Sequence, residues 1–305
     1  MWSLADMPPQ KGRRAIVTGT GGLGYETAVA LVAAGAHVVI AGRSPRKGRE
    51  AVVHILNNHP GSNVVFEQVD LANLASVAGF CDRILAAGDP VDLLVNNAGV
   101  MAPPKRQTTT DGFELQFGTN HLGHFAVTGR LLPLLQLSTA PRVTTVSSGA
   151  HHSGRIDFDN LQWTKGYSAW PAYAQSKLAN LLFAFELQRR SDVGGWGLVS
   201  NAAHPGYSRT ELIANGPGLD SVMSRLSRIV QPLISQDAAK GALPQLFAAT
   251  SPDAGPATYW GPSGFFELIG PPSAAKVSDA AKDTAVAKHL WDVSEALTGV
   301  KFGAA

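Results

Sequence analysis

Arg14-Ala15-Ile16-Val17-Thr18-Gly19-Thr20-Gly21-Gly22-Leu23-Gly24 decides the fold. Arg14 to Val17 reads as an apolar, β-branched strand. It runs directly into a glycine turn. Apolar residues at helical spacing follow, Ala28, Leu31 and Val32, closing at Gly35. Strand, glycine turn and helix together build an anion site. Glycines let the backbone approach a pyrophosphate, and a helix N-terminus offers N–H groups without partners. A lone Gly-x-Gly-x-x-Gly is weak evidence, but this one has the required strand before it and helix after it. Gly19, Gly21, Gly22, Leu23 and Gly24 are therefore candidate phosphate-binding residues.

Working outward, His37 to Ala41 predicts a second strand, ending in Gly42-Arg43-Ser44. An acidic residue here would bond the adenosine ribose and favour NAD. Arg43 stands there instead, and a guanidinium pairs well with a 2′-phosphate. The preferred cofactor is NADP(H) over NAD(H). Lys47 reads as part of a solvated helix start. Val64 to Val69 predicts a third strand closed by Asp70-Leu71, and Val91 to Val95 a fourth that leads to Asn96-Asn97-Ala98-Gly99. Strands alternating with helices imply right-handed crossovers and a parallel sheet. Gly19, Arg43, Asp70 and Asn96 then all fall at carboxyl ends of strands, on one rim, where such sheets bind ligands.

The composition sets bounds. The chain has 305 residues, 45% hydrophobic content and a net charge of +2 with both signs scattered. That suits ample α/β core and offers no basic block for nucleic acid. Cys81 is the only cysteine, so neither a disulfide framework nor a thiolate metal site is expected. Met1 to Gln10 lacks the apolar run of a signal peptide. Leu131 to Leu137 is interrupted by Pro133 and is too short to span a bilayer. The expectation is a soluble, cytoplasmic protein with no membrane anchor.

Tyr173 and Lys177 lie one turn apart in a segment where Ala174, Leu178, Leu181 and Phe185 recur at helical spacing. Pro171 suits the first position of that helix. A lysine ammonium and a helix N-terminus both favour a tyrosinate, so the pair predicts a phenol with a lowered pKa.

Thr18-Gly19 followed by Gly22-Leu23-Gly24, then Asp70-Leu71, then Asn96-Asn97-Ala98-Gly99, resembles the short-chain dehydrogenase/reductase family over nearly the whole chain. The resemblance implies one Rossmann domain over 1–305, a doubly wound parallel sheet of about seven strands with helices on both faces. Residues 12–150 would form the dinucleotide-binding half. Residues 151–305 would carry the catalytic helix, a substrate flap from Glu211 to Ser235 and a C-terminal extension. The family usually places three residues between Thr-Gly and the later Gly-x-Gly pair. Here there are two, Thr20 and Gly21, so the loop is one residue shorter.

The same resemblance implies roles. Ser148, the second serine after the strand Val143 to Val146, would orient the substrate oxygen. Tyr173 would be the acid/base. Lys177 would lower its pKa and bind the nicotinamide ribose. Asn120 would interrupt its helix and support a proton relay. Asp70, Leu71, Asn97, Ala98, Gly99, Pro205, Gly206 and Thr210 would line the cofactor. No metal is required, because Ser148 and Tyr173 can polarise a carbonyl. His121 and His124 lack a third ligand and read as packing or hydrogen-bonding residues.

The stretch His151 to Phe158, continuing through Trp163 and Tyr167, resembles the retinol-dehydrogenase-like branch, as does Leu290-Trp291-Asp292-Val293-Ser294-Glu295. The expected activity is interconversion of a bulky apolar alcohol and its ketone or aldehyde, and the family resemblance implies a homo-oligomer, dimer or tetramer, as the common assembly. Two other readings stand beside it. One is a cofactor-binding sensor or scaffold, suggested by the shortened loop. The other is a C=C reductase similar to protochlorophyllide reductase, suggested by Gly118 to Phe125 and disfavoured by the single cysteine.

Overall fold

In the computed structural model, which describes residues 1–208 and 236–303, eight strands form one sheet in the order β3-β2-β1-β4-β5-β6-β7-β8. They are β1 (Arg14–Thr18), β2 (His37–Gly42), β3 (Val64–Gln68), β4 (Leu93–Asn96), β5 (Arg142–Val146), β6 (Val199–Ala203), β7 (Tyr259–Pro262) and β8 (Pro272–Ala274). Every neighbouring pair is parallel except β7 with β8. The eighth, antiparallel strand adds to the seven expected, because the loop after β7 doubles back on it. Three proline and glycine positions in Gly270-Pro271-Pro272 hid it from a strand reading.

The order reverses at β1, which lies between β2 and β4. Such a reversal opens a crevice at the carboxyl ends. The nine α-helices of the described residues are α1 (Gly22–Ala33), α2 (Pro45–Asn58), α3 (Leu74–Ala87), α4 (Leu115–Phe117), α5 (Gly123–Gln136), α6 (Ala169–Gly194), α7 (Ala238–Thr250), α8 (Asp279–Lys282) and α9 (Thr284–Thr298). A π-helical turn, Gly118–Leu122, joins α4 to α5.

The central strands are apolar at successive positions because both sheet faces are covered. Ile16, Val39 and Leu94 enter one core with Phe80, Phe125 and Leu131. Their immediate neighbours Ala15, Val17, Val38, Ile40, Leu93 and Val95 enter a second core with Leu31, Ile55 and Leu246. Successive side chains of one strand thus point into two different layers of helices.

Several local expectations shift. Asp111 serves a helix distant in sequence. Its carboxylate accepts the Leu74 N–H at 2.9 Å, so it caps α3 across space. The segment after Thr110 becomes helical only at Leu115, where Glu114 accepts the Phe117 N–H at 2.7 Å. Pro171 is the third residue of α6 rather than the first. Pro133 sits within α5, which continues past it to Gln136. No helix of the described residues is long and apolar enough to cross a membrane.

The C-terminal helix seals the first core. Trp291 is 2% exposed, with ring centroids of Phe125, Phe183 and Phe302 at 5.0, 5.7 and 4.4 Å, and the Arg190 guanidinium over its face at 4.4 Å. Trp291→Ala is expected to destabilise the protein by about 3–5 kcal/mol, read as a shift of the urea unfolding midpoint.

Candidate active site

The glycine loop turns on left-handed glycines, Gly19 (φ 106°) and Gly22 (φ 52°), conformations a side chain disfavours. A Cβ at Gly19 would lie 2.8 Å from the Asn97 amide nitrogen, so loop and β4 are in direct contact. Asn97 Nδ2 donates to the Thr18 carbonyl at 2.7 Å. Its side chain is therefore a brace for the loop. Gly21 is the N-cap of α1 and supplies no side-chain cap, whereas α2 and α3 are capped by Ser44 and Asn73. The first N–H groups of α1 are thus left for an anion. A Cβ at Gly21 would meet nothing within 4 Å, consistent with an open face at that point.

Thr18 is a hub that sequence reading missed. Its hydroxyl accepts the N–H groups of Asn97 and Ala98, both at 2.9 Å, and lies 2.9 Å from His124 Nε2. His124 Nδ1 donates to the Asn120 carbonyl at 2.9 Å, so Nε2 is the acceptor and Thr18 the donor. Burial holds His124 neutral, with a pKa down to about 4. This links the glycine loop to the π-helical turn. Asn120 clamps Val100 twice, accepting its N–H at 2.8 Å and donating to its carbonyl at 2.9 Å, and donates to Ser176 Oγ at 2.9 Å. Its side chain braces the cleft wall and α6.

A cleft of about 270 Å³ is lined by Leu23, Asn97, Gly99, Val100, Met101, Ser148, Trp170, Tyr173, Lys177, Pro205, Gly206 and Tyr207, among others. Tyr173 shares a hydrogen bond with Ser148. Lys177 Nζ lies 5.7 Å from the Tyr173 ring centroid and donates to the Val146 carbonyl at 3.1 Å. Ser147 Oγ donates to the Lys177 carbonyl at 2.7 Å, which pins α6 to the end of β5. A Cβ at Gly99 would fall 3.0 Å from Asn120 Oδ1 and 3.7 Å from Lys177 Nζ. The structure therefore brings Asn120, Ser148, Tyr173 and Lys177 together.

The phenol differs from expectation. Burial pushes the Tyr173 pKa up to about 12, against the smaller opposing effect of its bond to Ser148. The same burial lowers Lys177 to about 8. Burial therefore favours the protonated phenol.

Arg43 follows β2 and is exposed, with no ion pair among the described residues. Its neighbour Arg46 pairs with Glu50 at 2.7 Å. Asp70 uses its carboxylate locally, accepting the Ala72 N–H at 3.0 Å, and Leu71 is buried in the first core. Thr210 and the flap from Glu211 to Ser235 lie outside the described residues. Phe265 and Phe266 are 72% and 79% exposed and do not line the cleft. Trp170 does, half exposed and 5.5 Å from the Tyr173 ring. Its place three residues before Tyr173 was the available signal. Among the described residues no cluster suited to a metal ion occurs.

The sequence profile of the short chain dehydrogenase family matches residues 13–216. This chain belongs to the short-chain dehydrogenase/reductase family. It is an oxidoreductase of the retinol-dehydrogenase-like branch, with a nicotinamide dinucleotide as cofactor and a small molecule as substrate. It is 40% identical over 302 residues to mouse polyprenol dehydrogenase, covering 97% of this chain and 87% of that protein. It is 38% identical over 292 residues to human retinol dehydrogenase 12, covering 95% and 88%. An uncharacterised protein of Mycobacterium paratuberculosis has the same fold with a TM-score of 0.81 and 41% identity, over 99% and 98% of the two chains. An NAD(P)-dependent gluconate 5-dehydrogenase structure from Beutenbergia cavernae with bound NADP matches at a TM-score of 0.62 and 26% identity, over 80% and 91%.

Three buried histidines set a pH limit on this site. His121, His124 and His151 fall from the ordinary 6.5 to about 3, 4 and 4, with burial the first cause in each. Above pH 6.5 both folded and unfolded chains hold them neutral. Below it the unfolded chain binds protons that the folded one refuses, so stability falls as pH drops from 6.5 toward 4. Guanidinium unfolding at about pH 7.5 and about pH 5 should give the lower midpoint at the lower pH.

Proposed function

We propose that this protein is an NADP(H)-dependent dehydrogenase/reductase that interconverts a bulky apolar alcohol and its carbonyl compound, with Tyr173 as acid/base. The meeting of the Tyr173 hydroxyl, Ser148 and the Lys177 ammonium in one cleft carries this reading. In the reducing direction Tyr173 donates its proton to the substrate oxygen, and Ser148 holds that oxygen by a hydrogen bond. Lys177 stabilises the tyrosinate left behind and contacts the ribose. Asn120 supports the proton path by fixing Gly99 and Val100 opposite Lys177. The nicotinamide ring supplies or accepts the hydride.

On this reading Gly19, Gly21, Gly22, Leu23 and Gly24 hold the pyrophosphate at the uncapped start of α1, and Arg43 receives the 2′-phosphate. Asp70, Leu71, Asn97, Ala98, Gly99, Pro205, Gly206 and Thr210 complete the cofactor site. Arg43 suits the phosphate better than Arg46, which Glu50 already holds. Val100, Met101, Trp170 and Tyr207 give the cleft an apolar side, which supports a hydrophobic substrate. The names of the polyprenol and retinol dehydrogenases among its relatives point the same way.

Two outcomes are expected. Titration by nicotinamide fluorescence should show NADPH binding more tightly than NADH, and Arg43→Ala should weaken NADPH about 10-fold or more while leaving NADH nearly unchanged. Binding of NADH alone would overturn the assignment of Arg43. Tyr173→Phe should keep cofactor binding and lower kcat by about 10²–10⁴-fold with an apolar alcohol or aldehyde. Unchanged turnover would remove Tyr173 as the acid/base.

A further inference from the structure

His204 directly follows β6 and precedes the turn Pro205–Gly206, which lines the cleft beside Tyr173 and Lys177. Its ring is 3% exposed. Nδ1 accepts the Gly206 N–H at 3.3 Å, so Nε2 carries the proton and donates to Glu267 Oε2 at 3.1 Å. The second oxygen of Glu267 accepts the Lys276 N–H at 2.9 Å. One carboxylate thereby joins a cleft-lining peptide to the segment between β7 and β8.

That segment is shaped to deliver the carboxylate. Phe266 (φ 50°) and Glu267 (φ 57°) are consecutive left-handed residues without being glycine. Such conformations cost free energy and persist only where the surroundings over-determine them. Here the Tyr207 N–H donates to the Leu268 carbonyl at 2.8 Å and the Gly264 N–H to the Ile269 carbonyl at 2.8 Å. Gly206 is itself left-handed (φ 64°), and a Cβ there would strike the Leu268 carbonyl. The turn and the segment touch backbone to backbone, His204–Glu267 is a direct side-chain bond between them, and Gln236 bridges them further along by donating to the Pro205 carbonyl at 3.0 Å and accepting the Gly270 N–H at 3.2 Å. The bond from His204 also depresses the Glu267 pKa, keeping the carboxylate ionised as an acceptor.

We propose that Glu267 is a positioning residue for cofactor binding: through His204 it sets the Gly206 peptide and so fixes the cleft wall opposite Tyr173 and Lys177. The assignment rests on the cleft being the nicotinamide site, as proposed above. A histidine held by a carboxylate on one nitrogen has a fixed tautomer and ring orientation. The free nitrogen then addresses Gly206 in one geometry. Without the carboxylate, the ring can turn or change tautomer, and the Gly206 peptide loses the side-chain contact on its N–H, although the backbone bond of Tyr207 to Leu268 remains.

The test compares wild type, Glu267→Ala, Glu267→Gln, His204→Asn and the double variant Glu267→Ala/His204→Asn. The readouts are cofactor Kd by nicotinamide fluorescence, KM for cofactor and for alcohol, kcat, and the unfolding midpoint. Glu267→Ala should raise cofactor Kd and KM about 10-fold, with smaller changes in alcohol KM and kcat. Glu267→Gln keeps an oxygen that can accept from His204 and should recover most of that loss. Adding His204→Asn should cost less in the Glu267→Ala background than in wild type, because both act on one linkage. Should Glu267→Ala fail to fold, Glu267→Gln and His204→Asn carry the same split between cofactor and alcohol constants. A lower midpoint with wild-type cofactor Kd overturns the proposal and leaves Glu267 as a pin for its own segment. Equal losses in cofactor and alcohol KM also overturn it. Wild-type protein that binds neither NADPH nor NADH overturns the proposed function, and this inference falls with it.

Discussion

The hydrogen bond from the Thr18 hydroxyl to His124 holds the two halves of the site in register. Thr18 ends β1 and starts the glycine loop. His124 begins the helix that follows the π-helical turn. With the Asn97 and Ala98 N–H groups on the same oxygen, the hub joins β1, β4 and α5 at the point where strand order reverses. A fully satisfied buried network of this kind specifies one arrangement, since any other leaves a polar group without a partner in a dry interior. The π turn at Gly118–Leu122 keeps Asn120 facing Val100 and Ser176. Ser176 then donates to the Tyr173 carbonyl at 2.8 Å, so the network reaches the helix bearing the phenol.

Burial governs the charges of this site more than the neighbours do. It raises Tyr173, lowers Lys177 and keeps His121, His124 and His151 neutral. His121 illustrates the physics. Its Nε2 donates to Ser294 Oγ at 2.8 Å, since that hydroxyl gives its own proton to Leu290. Its Nδ1 has no partner, and its ring is set among Phe117, Phe125 and Phe183. A charged imidazole there would be unsolvated. The same dryness that sharpens a hydrogen bond to substrate oxygen also withholds charge until a partner arrives.

Much of the fold was legible because the strongest signals were local. The central strands β1, β2 and β4 do not alternate apolar with polar residues. Their continuous apolar runs, bounded by Gly19, Gly42 and Asn96, still read as buried parallel strands. The positions of Tyr173, Lys177 and Ser148 at strand and helix ends were also readable, and they do converge. What escaped was every bond that crosses the chain at long range. Asp111 serves α3, and Thr18 meets a histidine 106 positions away. Phe265 and Phe266, apolar as they are, stand exposed on a segment that turns left-handed at Phe266.

The sequence by itself determined the strand–glycine–helix unit, the succession of strands and helices that makes a parallel sheet, and which side chains stand at its carboxyl rim. These follow from propensity and periodicity, which act over a few residues. Only the tertiary structure decided the protonation of Tyr173, the bracing tasks of Asn97 and Asn120, and the link from Glu267 through His204 to Gly206. Those depend on how much water is left around each group and which distant partner meets it. Solvation and contact are properties of the packed chain, and no short stretch of sequence contains them.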